Sequence, residues 1–494
     1  MSHDSSLPNV LMLGTGEYTT GYTAKGASDS DKSTGVVALV MLDLQRRGKV
    51  GQKIGMCGTD GRKLPAVREH MQRVLGDVYA GIDPSGILTW PADDVVDRKA
   101  YLTALKAYSP GDVAIIFTPD DTHTELALAC LAAGLHVLIT KPPVKTLEEH
   151  IAIARAAKAA DRLCVVEVHK RYDPIYADAR DRVAGLGDFS YFTAHMSQPK
   201  HQLDTFAAWA GRSSDISYYL NSHHVDFHSW SMLDLARPEI VSALGSDGVA
   251  DARLGIPMED TITLAVRWRN CVRSARGEGT EAGSGGDDVT VDGARAKRSK
   301  RAHAPTPKEE EREGEGEGEG EGEGEGEAAA AAGGARFVGS TGHATYTSSW
   351  IAPKSDVHSQ QRWFYMGHHG ELTVDQAHRG YSIATDAAGF QSVNPLFWKP
   401  ARNAITKEFA GQRTYGYLSF EAFVEAAARC NAHLATPADY DGALPTMATT
   451  AGATAILEAG RKSLDAGGRP FEMVYEGETA QVPTAIRAVE YGKG

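Results

Sequence analysis

Apolar runs and amphipathic stretches alternate along the first third of the chain. The apolar runs predict strands at 9–16, 53–59, 112–119, 136–143 and 163–172. Between them, helical spacing of apolar residues predicts helices at 34–49, 64–76, 122–134 and 146–162. Thr146 and Glu149 supply a capping-box signal for the last of these helices, and Gly134 a C-cap for the one before. The pattern predicts an α/β fold that opens with a doubly wound parallel sheet covered on both faces.

The pattern changes after Pro174. Alternating apolar and polar residues predict strands at 259–270, 343–352, 362–375 and 379–386. Helices are predicted at 174–186, 417–432 and 444–467. Successive strands with turn-like breaks such as "GHHG" are typical of an antiparallel sheet, so we predict an α+β C-terminal domain with a mostly antiparallel open sheet.

These patterns divide the chain into two expected domains. Residues 1–170 are expected to form a dinucleotide-binding domain, and residues 171–494 a domain for substrate binding and oligomerisation. The C-terminal helices, at about 440–470, are expected to pack back on the first domain.

A compositionally distinct segment, residues 273–337, interrupts the second domain. It contains almost no aromatic or aliphatic side chains and carries a long Glu-Gly repeat. Such a segment buries too little apolar surface to offset its ordering entropy, so we predict a disordered insertion at a hairpin tip. Its basic stretch 297–301, "KRSKR", indicates a nuclear-import or anion-binding patch, or a solvated charge run that balances the acidic repeat.

Composition excludes several classes of protein. The 494 residues are 42% hydrophobic and 23% charged, as expected of a soluble globular protein, and the net charge of −13 argues against a nucleic-acid binder. Five dispersed cysteines without a C-x-x-C pair indicate small buried side chains in a reducing compartment. No secretory signal and no long apolar run occur, so no membrane association is expected and a cytoplasmic location is predicted.

The first predicted strand ends in Gly14-x-Gly16, followed by Glu17 and Tyr18. Glycines after a strand let the backbone approach a pyrophosphate closely, at the start of a helix whose N–H groups favour anions. The second strand ends at Thr59-Asp60, with Arg62 two residues later. Because an acid suits the ribose hydroxyls of NAD and a base suits the 2′-phosphate of NADP, either cofactor is compatible with this end.

The stretch "NSHHVDFHSW", residues 221–230, concentrates histidines. His224 and His228 are four residues apart, as in helical zinc sites. His223 and Asp226 share another helix face and suit proton transfer, and a polar helix start is the third interpretation. The local sequence leaves all three open.

A block from 112 to 150 contains Thr118-Pro119, His123 and Lys141-Pro142. It resembles the Gfo/Idh/MocA family of NAD(P)-dependent oxidoreductases, and "VHKRYDP" at 168–174 resembles the family's interdomain segment. The resemblance covers roughly 9–270 and 340–480, although Thr140 replaces the family's usual glutamate. It implies a Rossmann domain, NAD or NADP as cofactor, a small sugar-like or polyol-like substrate, and a homo-oligomer formed through the C-terminal sheet.

The family's second-domain motif, approximately D-x-G-x-H-D-x-D-x-x-x-W, overlays residues 219–230 without a gap. His223 then takes the place of the catalytic histidine, and Asp226 and Trp230 match the motif. Tyr219 stands where the family has its catalytic aspartate, and Asn221 replaces the glycine.

The resemblance and the strand ends together assign roles to site residues. The expected catalytic residues are Lys141, His223 and Tyr219, and the expected substrate-binding residues are Tyr172, His224 and Asp226. No metal is expected. The expected cofactor-binding residues are Gly14, Gly16, Glu17, Tyr18, Thr59, Asp60, Arg62, Thr118, Pro119, His123 and Lys141. His169, Lys170 and the pair His368-His369 are weaker candidates for the pocket.

These assignments predict an NAD(P)-dependent enzyme that transfers a hydride between a nicotinamide and a hydroxyl or carbonyl carbon of a sugar, polyol or related molecule. In this chemistry a neutral histidine takes the alcohol proton and a lysine ammonium stabilises the oxygen. Because of Tyr219, the alternative is a catalytically silent dinucleotide-binding regulatory protein of the same fold. A metal-dependent hydrolase that uses His223, Asp226 and His228 is a third hypothesis.

Overall fold

The structure is a computed structural model. It describes residues 6–23, 25–28, 32–272, 336–357, 359–387, 389–392, 394, 396, 404–406 and 414–490. The basic stretch 297–301 and nearly all of the predicted insertion, residues 273–335, lie outside the described residues.

The strands fall into two large sheets and two small hairpins. In chain order they are β1 Val10–Leu13, β2 Tyr22–Thr23, β3 Gly26–Ala27, β4 Ile54–Cys57, β5 Leu88–Trp90, β6 Val113–Ile116, β7 His136–Thr140, β8 Cys164–Glu167, β9 Phe189–Pro199, β10 Ala236–Ser246, β11 Thr261–Asn270, β12 Thr341–Ala352, β13 Gln360–Gly367, β14 Gly370–Asp375, β15 Ser382–Thr385, β16 Gly389–Ser392, β17 Phe471–Val474 and β18 Ala485–Ala488.

The helices cover both faces of the first sheet and one face of the second. In chain order they are α1 Glu17–Thr20, α2 Val37–Arg46, α3 Leu64–Met71, α4 Ala100–Leu105, α5 His123–Ala132, α6 Leu147–Ala160, α7 Pro174–Val183, α8 Leu203–Phe206, α9 Ser222–Ser231, α10 Ala250–Leu254, α11 Tyr415–Asn431 and α12 Ala451–Asp465. Among the described residues, no helix combines the length and apolar character needed to cross a bilayer.

The first sheet is parallel throughout, with the strand order β5-β4-β1-β6-β7-β8. Its central strand β1 pairs with β4 on one side and β6 on the other, and all four of its residues are buried. Strands buried on both faces read as continuous apolar runs, which is why the sequence pattern located them. The predicted doubly wound sheet is confirmed.

An excursion interrupts the helix that follows β1. The chain leaves α1 at Gly21, forms the β2–β3 hairpin, and returns at Gly35 to begin α2. A Cβ atom on Gly21 would lie 2.1 Å from the carbonyl oxygen of Ser33, and both glycines have positive φ. Glycine is therefore required where the two ends of the excursion close against each other.

The second sheet has eight strands in the order β14-β13-β9-β12-β11-β10-β17-β18. The prediction of a mostly antiparallel sheet is confirmed, with β9 and β12 as a parallel pair. Alternation in β11 buries Ile262, Leu264, Val266 and Trp268 on the inner face. The predicted hairpin at "GHHG" is β13–β14, with His368 and His369 in its turn.

The strand predicted at 163–172 ends earlier, at Glu167, and a 3-10 turn follows at His169–Tyr172. Pro174 starts α7, whose N-cap Asp173 accepts a hydrogen bond from the backbone of Ile175. This helix start prevents the strand from continuing. The turn consequently places His169 and Lys170 beyond the end of the sheet.

The two C-terminal helices pack in different places. Phe420, Phe423 and other apolar residues of α11 join the core formed by β1 and α2. Helix α12 lies mainly against β10 of the second sheet, and it also contacts α6 through a bond of 2.8 Å between His150 Nδ1 and Thr454 Oγ1. The helix that packs most extensively on the first domain is thus α11. The range predicted to do so, about 440–470, contains α12 instead.

Candidate active site

A cavity of about 1360 Å³ opens between the carboxyl ends of β1, β6 and β7 and the inner face of the second sheet. In doubly wound folds the carboxyl ends of the strands are where ligands bind. The expected site residues that line it are Gly14, Gly16, Glu17, Tyr18, Thr59, Thr118, Pro119, Lys141, Tyr219 and His223.

The two glycines after β1 have different structural roles. Gly14 has φ 110°, and a Cβ atom there would lie 2.0 Å from the carbonyl oxygen of Phe117, so close approach of β1 and β6 requires glycine. A Cβ atom on Gly16 would meet nothing within 4 Å. The backbone at Gly16 therefore faces open space, as a turn that admits a phosphate must.

An aromatic stack supports this turn. Tyr18 stacks on Phe117 with ring centroids 4.9 Å apart, and Phe117 stacks on Phe420 of α11 at 5.8 Å. Glu17 accepts a hydrogen bond from the hydroxyl of Ser28 in the excursion. Neither Phe117 nor Phe420 was among the expected site residues, because a distant helix supplies the stack.

Thr59 lines the cavity at the end of β4, whereas Asp60 and Arg62 lie outside the lining. Arg62 donates to both carboxylate oxygens of Asp60, at 2.8 and 2.9 Å, and these bonds lower the pKa of Asp60 to about 2. Asp60, the acid that would suit NAD, and Arg62, the base that would suit NADP, thus bind each other.

Lys141 follows β7 and reaches into the cavity. Its Nζ donates a hydrogen bond of 2.5 Å to the carbonyl oxygen of Tyr219 and lies 4.5 Å from the centroid of the Tyr219 ring. Burial lowers the pKa of Lys141 to about 8, against the opposing effect of Asp120 and Glu167. The ammonium is held in place by neutral groups.

His223 lies on α9, is 6% exposed and lines the same cavity. Its Nδ1 has no hydrogen-bond partner among the described residues. Burial lowers the pKa of His223 well below its usual value, and the nearby Lys141 and Lys170 lower it further. The imidazole is neutral at pH 7 and can accept a proton.

His169 packs beside His223, with ring centroids 5.3 Å apart, and stacks on Tyr415 at 5.7 Å. Its Nδ1 lies 3.4 Å from Oε2 of Glu167, and Oε1 of that carboxylate accepts a hydrogen bond of 2.9 Å from Ser419. The sequence marked His169 only as a weaker candidate, because Tyr415 and Ser419 come from α11 near the other end of the chain.

Lys170 also lines the cavity, although only 3% of it is exposed. Its Nζ donates to the Oε1 atoms of Gln361 and Gln376, and lies 5.1 Å from the Tyr176 ring centroid. Burial lowers its pKa to about 7. Both glutamines lie in the second half of the chain, so local spacing gave no signal for them.

Tyr219 belongs to an aromatic cluster. Its ring stacks on Trp350 at 5.5 Å, with Phe206 and Trp209 on its other sides at 5.3 and 5.1 Å. Its hydroxyl accepts a hydrogen bond of 3.4 Å from Nε2 of Gln198. A phenol ordinarily has a pKa of about 10, so it does not replace a carboxylate as a proton acceptor at neutral pH.

His123 lies outside the cavity lining but holds two of its loops together. Its Nδ1 is 3.1 Å from the carbonyl oxygen of Pro142 and 3.0 Å from that of Pro143, and its Nε2 is 2.9 Å from that of Thr118. This buried ring therefore connects the segment that carries Thr118 to the segment that carries Lys141.

The three expected substrate-binding residues also lie outside the lining. Asp226 receives two hydrogen bonds from Arg171, at 2.9 and 2.7 Å, and both side chains are buried. His224 Nε2 lies 3.0 Å from the hydroxyl of Tyr176. Burial raises the pKa of Tyr172 above its usual value. The structure therefore does not place Tyr172, His224 or Asp226 in the cavity wall.

The three residues of the metal hypothesis, His223, Asp226 and His228, lie in different surroundings. His228 stacks on Phe192 with centroids 4.3 Å apart, and its Nδ1 lies 2.6 Å from the Tyr346 hydroxyl. Asp226 is bound to Arg171 instead. Within the described part of the chain, no three His, Cys, Asp or Glu side chains are grouped so that they could hold a metal ion.

Comparison with known sequences agrees with the geometry of the first sheet. The family model described as "Oxidoreductase family, NAD-binding Rossmann fold" matches residues 9–168. The scyllo-inositol 2-dehydrogenase (NAD(+)) of Bacillus subtilis (strain 168) is 34% identical over 201 residues, which are 37% of this chain and 54% of that protein. The uncharacterized oxidoreductase YdgJ of Escherichia coli (strain K12) is 33% identical over 141 residues, 28% of this chain and 40% of that protein. The match thus spans about half or less of the length of these relatives.

Solved structures show the same fold over nearly the whole chain. The inositol dehydrogenase homolog complexed with NAD+ from Azotobacter vinelandii superposes with a TM-score of 0.55 at 15% identity, covering 94% of this chain and 97% of that one. The myo-inositol 2-dehydrogenase from Lactobacillus plantarum gives a TM-score of 0.53 at 15% identity, covering 94% and 98%. At this identity the likeness establishes the fold.

The family match, the parallel sheet and the open glycine turn coincide on one segment. Residues 9–168 therefore match the model of the Gfo/Idh/MocA oxidoreductase family, with its NAD-binding Rossmann fold.

Proposed function

We propose that this protein is an NAD(P)-dependent oxidoreductase that acts on a CH–OH group of a polyol, sugar or related small molecule. The observation that carries the proposal is the meeting of Lys141 and His223 in one cavity with the Gly14–Gly16 turn. The named relatives that oxidise inositols, one with NAD(+) and one with NADP(+), support the substrate class and leave the choice of cofactor open.

The cofactor fits the residues that line the cavity. The turn at Gly16, the Tyr18 ring and the backbone after β4 and β6 would hold a dinucleotide, whose nicotinamide accepts or returns the hydride. All of these groups line one cavity, and no atom lies within 4 Å of the position that a Cβ on Gly16 would take.

In the oxidation direction, His223, which lines the cavity, removes the proton from the substrate hydroxyl. Its low pKa keeps it neutral before the reaction, so it is ready to accept. Lys141 donates a hydrogen bond to the same oxygen and stabilises the negative charge that develops there. In the reverse direction Lys141 polarises the carbonyl group, and His223 returns the proton.

His169 and Glu167 offer the proton an onward path. The His169 ring packs directly against that of His223, and its Nδ1 faces a buried carboxylate. Tyr219 contributes its backbone carbonyl, which orients the Lys141 ammonium, while Asp226 remains bound to Arg171. A carboxylate–imidazole pair is therefore present beside His223, although Tyr219 stands in the family's aspartate position.

The experiment that tests this function combines each of NAD and NADP with a panel of polyols, sugars and sugar acids and follows reduced-nicotinamide absorbance. We expect turnover by the wild type. Lys141→Met and His223→Asn should lower kcat by about 100-fold or more while dinucleotide binding is retained, because each removes a group that acts on the reacting oxygen.

Matched controls are Lys354→Met and His201→Asn, which change exposed residues of the cavity wall and should leave kcat near the wild-type value. Dinucleotide binding without turnover on any compound would instead support the catalytically silent regulatory protein, the interpretation that Tyr219 favours.

We also propose a homo-oligomer formed through the outer face of the second sheet. This face carries Thr263, Thr345, Thr347, Tyr191 and Phe364, which neighbour one another across β9, β11, β12 and β13. Sedimentation equilibrium should show a dimer or tetramer, and Phe364→Asp should weaken it. The cytoplasmic location expected from the cysteines stays a prediction, which fractionation of the native cells checks.

A further inference from the structure

Two buried polar side chains of the cavity wall, Gln198 and His223, have an atom without a hydrogen-bond partner among the described residues, and a third, Lys170, has only neutral partners. Lys170 and Gln198 are each 3% exposed and His223 is 6% exposed, yet all three line the cavity. Buried polar groups are normally hydrogen-bonded, because an unpaired one costs about 1–3 kcal/mol. A cluster of such groups facing a cavity therefore indicates the groups of a ligand.

Lys170 is a buried cation without a carboxylate partner. It uses two of its three N–H donors on the neutral amide oxygens of Gln361 and Gln376. Asp173 is the nearest source of opposing charge, but both of its carboxylate oxygens are bound by Arg379. Among the described residues, no carboxylate forms an ion pair with Lys170.

The other two atoms are hydrogen-bond acceptors. Gln198 donates its Nε2 to the Tyr219 hydroxyl at 3.4 Å, and this orients Oε1 without a partner among the described residues. His223 is neutral, and its Nδ1 is likewise unpartnered there. Each atom can accept a hydrogen bond from a hydroxyl group. The cavity thus offers two acceptors for hydroxyls and one donor with positive charge.

Building on the proposed function, we propose that the substrate is a polyhydroxy carboxylic acid rather than a neutral polyol. The reacting hydroxyl lies at His223 and Lys141, a second hydroxyl donates to Oε1 of Gln198, and the carboxylate accepts from Nζ of Lys170. A carboxylate suits this arrangement because a single remaining N–H, flanked by two neutral amides, matches one charged oxygen.

Because Lys170 titrates, this proposal predicts that the affinity for the acid depends on pH. A bound carboxylate favours the protonated amine, so affinity for the acid should rise as the pH falls from 8 to 6, where a sugar acid stays ionised. Burial already lowers the pKa of Lys170 to about 7. The charged and titratable groups that face it are Asp173, Arg379, Lys141, His169, Tyr176, His223 and His224.

The test measures equilibrium binding to the full chain, with and without NAD, by titration calorimetry. The ligands are acid and neutral pairs that differ only at one carbon, namely gluconate with glucitol, glucuronate with glucose, and galactonate with galactitol. We expect at least one acid to bind about tenfold or more tightly than its neutral partner, as one charge-assisted hydrogen bond in a buried site supplies.

Variants test whether Lys170 causes the preference for the acid. Lys170→Met should reduce the preference for the acid to about twofold or less, whereas Lys170→Arg should retain most of it. The control Lys354→Met removes an exposed cation from the same cavity wall and should leave the preference intact. Because the wild-type comparison needs no variant, poor folding of Lys170→Met does not prevent a decision.

Three outcomes would overturn the proposal: equal binding of acid and neutral compounds in every pair, no binding of any acid, or a preference that survives Lys170→Met. Acid binding without nicotinamide reduction would contradict the proposed function and leave this inference standing. Turnover of neutral polyols but of no acid would contradict this inference and leave the proposed function standing.

Discussion

At the scale of single residues, the surroundings of Lys141 decide whether it can act as an ammonium. Burial disfavours the charged form of its amine, whereas the carboxylates of Asp120 and Glu167 favour it. The net result is a pKa of about 8, close to the working pH of most enzymes. A small rise in pH therefore removes the charge.

We predict that kcat/KM falls as the pH rises through about 8, since the ammonium that stabilises the reacting oxygen is then lost. The sign follows from a group that is active when protonated. Lys141→Arg should react more slowly but without this decline, because an arginine stays charged to a pH above about 12. Initial rates from pH 6 to 9.5 measure both profiles. A decline that persists in Lys141→Arg would assign it to another group.

Asp226 shows how a residue of the family motif can be structural. Its carboxylate binds the Arg171 guanidinium through two hydrogen bonds, and the guanidinium lies 5.2 Å from the Trp230 ring. The motif residues Asp226 and Trp230 thus clamp Arg171, which follows Lys170 directly in the turn that borders the cavity.

We predict that Asp226→Asn lowers the free energy of unfolding by roughly 3–5 kcal/mol, because it leaves the buried Arg171 charge without its partner. Urea unfolding followed by circular dichroism measures the change. Asp178→Asn is the matched control, since Asp178 pairs with Arg182 at the exposed surface of α7, and it should unfold at the wild-type urea concentration. A similar loss in both variants would show that the Arg171 pair has no special role.

At the scale of secondary-structure elements, α11 connects the end of the chain to its beginning. Its Phe420 stacks on Phe117, which in turn stacks on Tyr18 beside the glycine turn. The same helix contributes Tyr415 and Ser419 to the surroundings of His169 and Glu167. One helix therefore supports both the glycine turn after β1 and the pair of His169 and Glu167.

Phe420→Ala should lower the free energy of unfolding by roughly 3–5 kcal/mol through the cavity it leaves. It should also weaken dinucleotide binding, because Tyr18 loses the stack that holds it. Fluorescence titration with NADH and urea unfolding measure the two effects. Leu418→Ala, two residues away in the same helix and 37% exposed, is the control. Dinucleotide affinity equal to that of the wild type would show that α11 does not support the glycine turn.

At the scale of the whole molecule, Val272 and Arg336 pair although 63 residues, 273–335, separate them in the chain. Val272 donates to the carbonyl oxygen of Arg336 at 2.6 Å, and Arg336 donates back at 3.0 Å. This is the hydrogen-bonded pair that closes a hairpin between β11 and β12. The expected insertion, 273–337, reaches two residues too far, because Arg336 pairs with Val272 and Phe337 is buried; the disorder expected of residues 273–335 stays a prediction.

We predict that replacing residues 273–335 with Asn-Gly preserves the fold, because a two-residue turn closes such a pair directly. The melting temperature and NADH affinity should match those of the full chain. The control replaces the same residues with Gly-Gly-Ser-Gly-Gly, which tests whether the turn type matters. Loss of dinucleotide binding in both versions would show that the segment contributes to the cavity.

Sequence patterns predicted the first sheet well, because its strands are buried on both faces and its helices carry clear end signals. Short elements such as β5, α4, β17 and β18 were missed, because partly exposed positions such as Leu88 interrupt the apolar pattern. The parallel pairing of β9 with β12 was missed as well, since register between distant strands leaves no local trace.

The sequence by itself determined the parallel sheet, the glycine turn after β1 and the assignment of residues 9–168 to their family, because each depends on local spacing or on a contiguous motif. Only the tertiary structure decided which polar residues share the cavity. It separated His223 from His224, Asp226 and His228, which sequence alone had left together, by turning them to different faces of a buried helix. It also brought Lys170, Gln198, Gln361 and Gln376 to one place, because side chains far apart in the chain meet only when the two sheets pack around the same space.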